Sequence, residues 1–327
     1  MTKTIRIGSR GSQLALWQAN HIAAALREQG HAVEIEVIRT TGDRMQHPEF
    51  AADGDGASSG ASLYSAEGIF IKEIEEALAE GRIDVAVHSL KDLPTELAAS
   101  FALAAVPVRA DARDVWVCEQ YWGLHMLPMG GRVGTTSPRR RAQLLALRPD
   151  LRFVELRGNI DTRLRKLKEG LADALVLAGA GLDRVGRTEW VHRRFEVDEL
   201  CPAPGQGALA VEVRAEGYGA DAAWDGEVRA AVGLLDHAQT RFCVETERTV
   251  LNELGGGCQL PIGVHCAWVS DGAGEGGYRI DAQVVAPDGE QMIALNREVA
   301  AGVSACALGA QVAEELKAKG ALELLRE

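Results

Sequence analysis

Short apolar runs alternate with amphipathic stretches along this chain, and each change of period predicts a change of element. "TIRIG" reads as a strand, "SQLALWQANHIAAALREQG" as a helix with Ser12 at its N-cap and Gly30 at its stop, and "AVEIEVIRT" as the next strand. A loop rich in Gly, Ser and Asp follows over about residues 43–66, then the helix "IFIKEIEEALAEG" and the apolar strand "IDVAVHSL".

Beyond a connecting run with "FALAAVPV" and "DVWVC", the order restarts. "RVGT" is a strand, and "SPRRRAQLLALRPD" a helix with Ser137 at N-cap and Pro138 at N1. "LRFVELRG", the helix "IDTRLRKLKEG" and the strand "ADALVLAGAG" come next. The halves echo each other, "RIGSRGS" against "RVGTTSP" and "AEGRIDVAVHSL" against "KEGLADALVLAG", which points to two similar doubly wound α/β lobes. "GALAVEVR", after "CPAPGQ", is a strand placed to return the chain to the first lobe. From about Trp224 a long helical pattern ends at "ETERTVLNELGG", and three strand-like runs and a closing helix make a small α+β domain. The division expected is residues 1–107 with 205–222 for the first lobe, 108–204 for the second and 223–327 for the C-terminal domain.

Composition narrows the function. At 327 residues and 46% hydrophobic, with no apolar run of bilayer length, the chain reads as soluble and able to bury cores. The start "MTKTIRIGSRG" goes straight into a strand pattern without a secretory signal, so a cytoplasmic, reducing setting is expected. Six cysteines (118, 201, 243, 258, 266 and 306) then read as thiols, and none forms a C-x-x-C pair that would suggest zinc. A formal charge of -12 argues against nucleic acid or an acidic membrane as partner, so any anion site has to be a local cluster of cations.

Such a cluster is visible. Arg10 follows a strand and precedes a helix start, Arg139 and Arg140 occupy a first helical turn, and Arg157 ends a strand six residues before Arg163. In open α/β sheets ligands collect beyond the carboxyl ends of strands, where helix N-termini suit anions. Cations in a first turn oppose the helix dipole, so Arg139 and Arg140 call for an anion. Any one of these arginines taken alone reads as a solvated surface residue; the set reads as a carboxylate or phosphate site. In "VHSLKDLPTE", Asp92 stands beside Lys91 at the carboxyl end of an apolar strand, either as a turn residue before Pro94 or as a carboxylate able to donate a proton or stabilise a cation on a ligand. His88 has no G-x-S-x-G elbow beside it and reads as structural. "PAPGQGAL" reads as an inter-lobe hinge with the amide of Gln206 open to a ligand, and no dinucleotide or Walker motif is present. In "ELGGGCQLPIG", Cys258 is framed by glycines in a turn that cannot be helix or central strand, and is either an inert thiol or a nucleophile.

The motifs "GSRGSQLALWQA", "TTGDR", "VHSLKDLPTE", "VGTTSPRRRAQL", "LRGNIDTRL", "PAPGQGALA" and "GGGCQLPIG", in this order over nearly the whole chain, resemble the porphobilinogen deaminase family. The resemblance implies two lobes of periplasmic-binding-protein type with a smaller third domain. It implies a monomeric transferase of tetrapyrrole and heme biosynthesis that condenses four porphobilinogen units into hydroxymethylbilane with loss of ammonia. The chain would grow on a dipyrromethane cofactor held by a thioether to Cys258. Asp92 would be the catalytic acid. Arg10, Arg139, Arg140, Arg157, Arg163 and Arg184 would bind carboxylates, with Ser12, Lys91, Thr135, Ser137 and Gln206 completing the site. One departure stands out: the family's Gly-Gly-Lys-Gly lid is "YSAEGIF" here, with Glu67 in place of lysine, Ser65 and Ala66 in place of glycines, and Lys72 one turn further on. Glu67 near a polycarboxylate would repel it, so impaired turnover is an alternative. A non-catalytic polycarboxylate-binding protein of the same lobes is another, and a thiol hydrolase lacks an oriented base.

Overall fold

The computed structural model describes residues 3–39, 71–257, 259–270 and 276–325. In chain order it contains β1 (Ile5–Ser9), α1 (Gln13–Glu28), β2 (Val33–Val37), α2 (Lys72–Ala79), β3 (Val85–Ser89) and β4 (Phe101–Ala105). There follow β5 (Asp114–Val117), β6 (Arg132–Gly134), α3 (Pro138–Leu147), β7 (Arg152–Val154), α4 (Ile160–Lys168), β8 (Ala174–Ala178), α5 (Gly179–Arg184) and β9 (Arg193–Arg194). The remainder comprises β10 (Leu209–Arg214), α6 (Ala222–Gly233), α7 (Ala238–Glu253), β11 (Ile262–Ser270), β12 (Gly276–Val285), β13 (Met292–Ala300), α8 (Ala305–Ala318) and α9 (Ala321–Leu324).

The chain divides into two compact units, residues 1–108 with 209–237 and residues 109–208 with 238–327. Unit 1 is built on a five-stranded sheet in the order β2-β1-β3-β10-β4. β1 runs parallel to β2 and to β3, while β10 is antiparallel to both β3 and β4. Apolar side chains cover both faces, Ile5, Ile7, Ile22, Leu26 and Val211 on one and Ile38, Ile74, Leu78 and Ile83 on the other. Each such side chain taken out of water contributes about 1.5–3 kcal/mol, which is why a strand as apolar as β3 sits centrally.

Asp84 sits just before β3 with its side chain fully buried and holds three elements together. It accepts from Arg6 Nη2 (2.8 Å), Arg214 Nη2 (3.1 Å) and the indole Nε1 of Trp224 (3.1 Å). Trp224 and Val228 pack into the core of the same sheet, so α6 lies in unit 1. The sequence-based boundary at residues 222 and 223 therefore falls inside a unit that continues to His237, because the apolar face of α6 matches the first sheet.

Unit 2 contains a second five-stranded sheet, β7-β6-β8-β5-β9, with β6 parallel to β7 and β8, and β5 antiparallel to β8 and β9. β6, β7 and β8 thus stand in unit 2 where β1, β2 and β3 stand in unit 1, and the echoing segments of the sequence are these equivalent strands. The antiparallel strand next to the parallel set is β10 in unit 1, which comes from a distant part of the chain, and β5 in unit 2, which directly precedes β6. Unit 2 also carries the antiparallel sheet β11-β12-β13, whose Val264, Ile280 and Val284 pack with Val250 of α7 and Leu308, Val312 and Leu316 of α8. Two α/β sheets and a small α+β C-terminal part are the architecture expected from the hydrophobic periodicity.

Candidate active site

In unit 1 the adjacent parallel strands β1 and β3 deliver chemistry to one edge of the sheet. Arg10 is the first residue past β1, and Ser12 caps α1 by accepting from Ala15 N at 3.3 Å. β3 runs into a 3-10 turn, Leu90–Asp92, closed by Leu93 N donating to Leu90 O at 3.1 Å. Gln18 Nε2 donates to Ser89 Oγ at 2.8 Å and ties α1 to the end of β3. Arg10, Ser12 and Lys91 are half-buried at this edge and Asp92 is exposed, so its carboxyl is open to a ligand. His88, four residues earlier, points into the interior, where its Nε2 lies 2.9 Å from Glu212 Oε2. That is the structural role expected of it.

In unit 2 the carboxyl ends of the parallel strands β6, β7 and β8 form one edge, and five of the arginines singled out from the sequence stand on it or on the helices that follow. The turn after β6 contains Thr135, whose Oγ1 accepts from Ser137 N at 3.1 Å, and Ser137, whose Oγ accepts from Arg140 N at 3.4 Å. Both hydroxyls therefore shape the start of α3. Arg157, after β7, is exposed and ion-paired to Glu155 at 3.2 Å. Arg163 is half-buried on α4. Arg184 ends α5 and donates from Nη2 to Gly207 O at 2.6 Å; burial pulls its guanidinium down to about 10, against the neighbouring charge of Asp183. A cation desolvated to this extent favours an incoming anion.

Arg139 and Arg140 depart from the sequence expectation. Both are buried, at 3% and 7% exposure, on the fully buried carboxylate of Asp114, the first residue of β5. Arg139 Nη2 donates to Asp114 Oδ2 at 2.7 Å, and its Nη1 to Cys201 O at 2.6 Å. Arg140 donates to Asp114 Oδ1 from Nε (3.1 Å) and Nη2 (2.7 Å). Burial alone would push the Asp114 carboxyl up, but the two guanidiniums outweigh it and hold it well below the usual carboxylate range. The anion that a doubly cationic first turn calls for is, in the first instance, a residue of the chain. The one sequence signal for it was an aspartate at the head of the apolar run "DVWVC".

Gln206 also departs. It is fully buried, and its Nε2 donates to Ala112 O at 2.7 Å and Asp114 Oδ1 at 2.9 Å, so its amide is committed inside unit 2 instead of standing open to a ligand. Proximity to Asp114, set by the tight "PAPGQG" loop, decides this. The same loop is anchored by Glu247 of α7, whose Oε2 accepts from Gly205 N at 2.6 Å and whose carboxylate also takes Arg109 Nη1 at 2.6 Å.

Beyond Glu253, Gly255, Gly256 and Gly257 take φ of 105°, 56° and 123°, a left-handed run that only glycine adopts without strain. Gly256 N donates to Leu251 O at 2.9 Å and closes the helix, as the glycine run predicted. Cys258 itself lies outside the described residues, as do the loop 43–66 and Ser65, Ala66 and Glu67. Lys72, at the start of α2, stands 3.8 Å from Glu76.

Two family profiles match the chain: "Porphobilinogen deaminase, dipyromethane cofactor binding domain" over residues 5–221, and "Porphobilinogen deaminase, C-terminal domain" over residues 241–318. Curated relatives named porphobilinogen deaminase include that of Sulfurimonas denitrificans, 42% identical over 99% of this chain and 96% of its own. Those of Syntrophobacter fumaroxidans and Xanthomonas euvesicatoria pv. vesicatoria are each 41% identical over 99% of this chain, and over 98% and 99% of their own. On both profiles and these relatives matched over nearly their whole length, the chain belongs to the porphobilinogen deaminase family, transferases of tetrapyrrole biosynthesis that carry a dipyrromethane cofactor.

Proposed function

We infer that this chain condenses four porphobilinogen units into hydroxymethylbilane with loss of ammonia, using a carboxylic acid side chain as proton donor and arginines to bind the carboxylates. The observation that carries this reading is the placement of Arg140, Arg157, Arg163 and Arg184 on the segments that follow the parallel strands β6, β7 and β8. Each porphobilinogen brings an acetate and a propionate, and in an acidic chain of charge -12 such anions need fixed local cations. The residues suit dipyrromethane: guanidinium forks match its carboxylates, and the buried Arg139 Nε has no hydrogen-bond partner among the described residues, a donor available to an anion. When bound, dipyrromethane supplies the pyrrole on which the product is built, and its proposed attachment is a thioether to Cys258.

Asp92 is the proposed catalytic acid. Its exposed carboxyl at the end of the Leu90–Asp92 turn delivers a proton to the leaving amino group, and as carboxylate it then stabilises positive charge developing on the substrate. Lys91 and Arg10, at the same edge, hold substrate carboxylates and keep the acid oriented. Glu67 stands where the family has lysine, and an active enzyme is still proposed because the proposed acid, arginines and attachment cysteine are all present in the sequence. A monomer in the cytoplasm is proposed from the resemblance to the family; among the described residues no helix is long and apolar enough to cross a membrane.

Intact-mass spectrometry joined to a porphobilinogen turnover assay tests the reading. The expected result is a chain heavier than its sequence by two linked pyrroles, with the increment lost in Cys258→Ser. A chain at its bare mass that binds porphobilinogen without turnover would establish the non-catalytic alternative instead.

A further inference from the structure

Arg139 and Arg140 share one carboxylate. Among the described residues, Asp114 is the carboxylate ion-paired to both guanidiniums, so two positive charges share one negative charge in a buried position at the N-terminus of α3. A helix N-terminus disfavours a cation, and burial makes an uncompensated one costly. The hydrogen bonds also fix which donors remain. Arg139 spends Nη1 and Nη2, and Arg140 spends Nε and Nη2. Gln206 braces the arrangement, with Nε2 on Asp114 Oδ1 at 2.9 Å and Oε1 accepting from Arg140 Nη2 at 3.4 Å.

We propose that Asp114, braced by Gln206, is a positioning residue for the anion-binding edge: it locks both guanidiniums so that Arg139 Nε and Arg140 Nη1 are the donors left for a carboxylate, and it trims the pair's charge from two to one. This rests on the reading above that the pair meets carboxylates. Without Asp114 the two cations repel each other and the forks turn. The pair then attracts any small anion by charge instead of a pyrrole carboxylate by geometry, and charge-driven binding is the kind that salt screens. The ligand group favoured by the locked pair is a planar carboxylate such as the acetate or propionate side chain of a pyrrole, and the role of Gln206 becomes that of a brace.

The test compares Asp114→Asn, Asp114→Glu, Arg139→Gln, the double variant D114N/R139Q and Arg140→Gln, each as purified full chain. Far-UV circular dichroism, cofactor loading by intact mass, and KM and kcat for porphobilinogen at low and high ionic strength are measured. Folded Asp114→Asn should raise KM by roughly tenfold or more with a smaller change in kcat, since misplaced binding groups are costly in this range. Its KM should depend on salt more steeply than that of the wild type, and Asp114→Glu should recover most of the loss. Where Asp114→Asn does not fold, the double variant restores the local charge, and its KM should exceed that of Arg139→Gln alone. A folded Asp114→Asn with the KM and salt response of the wild type, or a double variant no worse than Arg139→Gln, overturns the proposal. Arg140→Gln with normal loading and normal KM would instead overturn the underlying reading that the pair meets carboxylates.

Discussion

His88 Nε2 lies 2.9 Å from Glu212 Oε2, both side chains buried on one face of the β3–β10 ladder. β3 leads directly into the turn that carries Asp92, so this pair fixes the strand that presents the acid. The other carboxylate oxygen of Glu212 has no partner among the described residues, which makes the imidazole its main support. His88→Ala strands a buried carboxylate and should cost about 3–5 kcal/mol of stability. The fall in melting temperature checks this. Turnover per folded molecule should be largely kept, and a variant of unchanged stability with abolished turnover would give His88 a chemical role.

Asp92 presents the opposite profile. Its side chain is exposed, so Asp92→Ala should change stability by no more than about 0.5 kcal/mol. It should keep the mass increment of the cofactor and lose turnover by about a hundredfold or more, the scale of a positioned proton donor. Quenched-flow measurement of ammonia release reads the step directly. Release at the wild-type rate would remove Asp92 from the role of acid.

The cysteines allow a test of the attachment. Of the described cysteines Cys118, Cys201, Cys243 and Cys266 are buried and Cys306 is exposed, and burial also pushes the Cys201 thiol up, away from its reactive form. Alkylation of the native, loaded chain should therefore add a single label, and Cys306→Ser should add none. One label per chain remaining in Cys306→Ser, together with a bare sequence mass, would show Cys258 as a free thiol.

Acid stability follows from Asp84. Burial favours its protonated form, but hydrogen bonds from Arg6 and Trp224 outweigh burial and lower its pKa from the ordinary 3.8. A carboxylate depressed in the fold contributes stability that is present above the unfolded value and lost as pH falls through the folded one. The melting temperature should thus hold from neutrality to about pH 5 and fall below about pH 4. Asp84→Asn should lower the plateau and flatten the acid limb. An unchanged acid limb in that variant would assign the loss to other carboxylates.

Much of this was legible along the chain. The alternation of "IDVAVHSL" and "ADALVLAG" with amphipathic helices announced two α/β lobes, and their likeness became the equivalence of β3 and β8. Ser12, Ser137 and Pro138 marked helix starts where helices start, and three glycines before Cys258 marked a turn that the backbone makes with positive φ. Such signals are local: a cap, a period and a left-handed glycine each depend on a few neighbouring residues.

The parts that escaped depend on residues far apart in sequence. Nothing near Trp224 states that its indole meets Asp84, 140 positions away, yet that contact puts α6 with the first sheet. Nor does the run "SPRRR" state that its arginines turn inward to Asp114, which is 25 and 26 positions from them, or that Gln206 reaches the same carboxylate from 92 positions away. The sequence by itself determined the elements, the family and the stock of cations, since these rest on local pattern and residue type. The tertiary structure alone decided which of those cations are neutralised by the chain and which are left for a ligand, because a buried charge takes whichever partner the fold brings within hydrogen-bond distance.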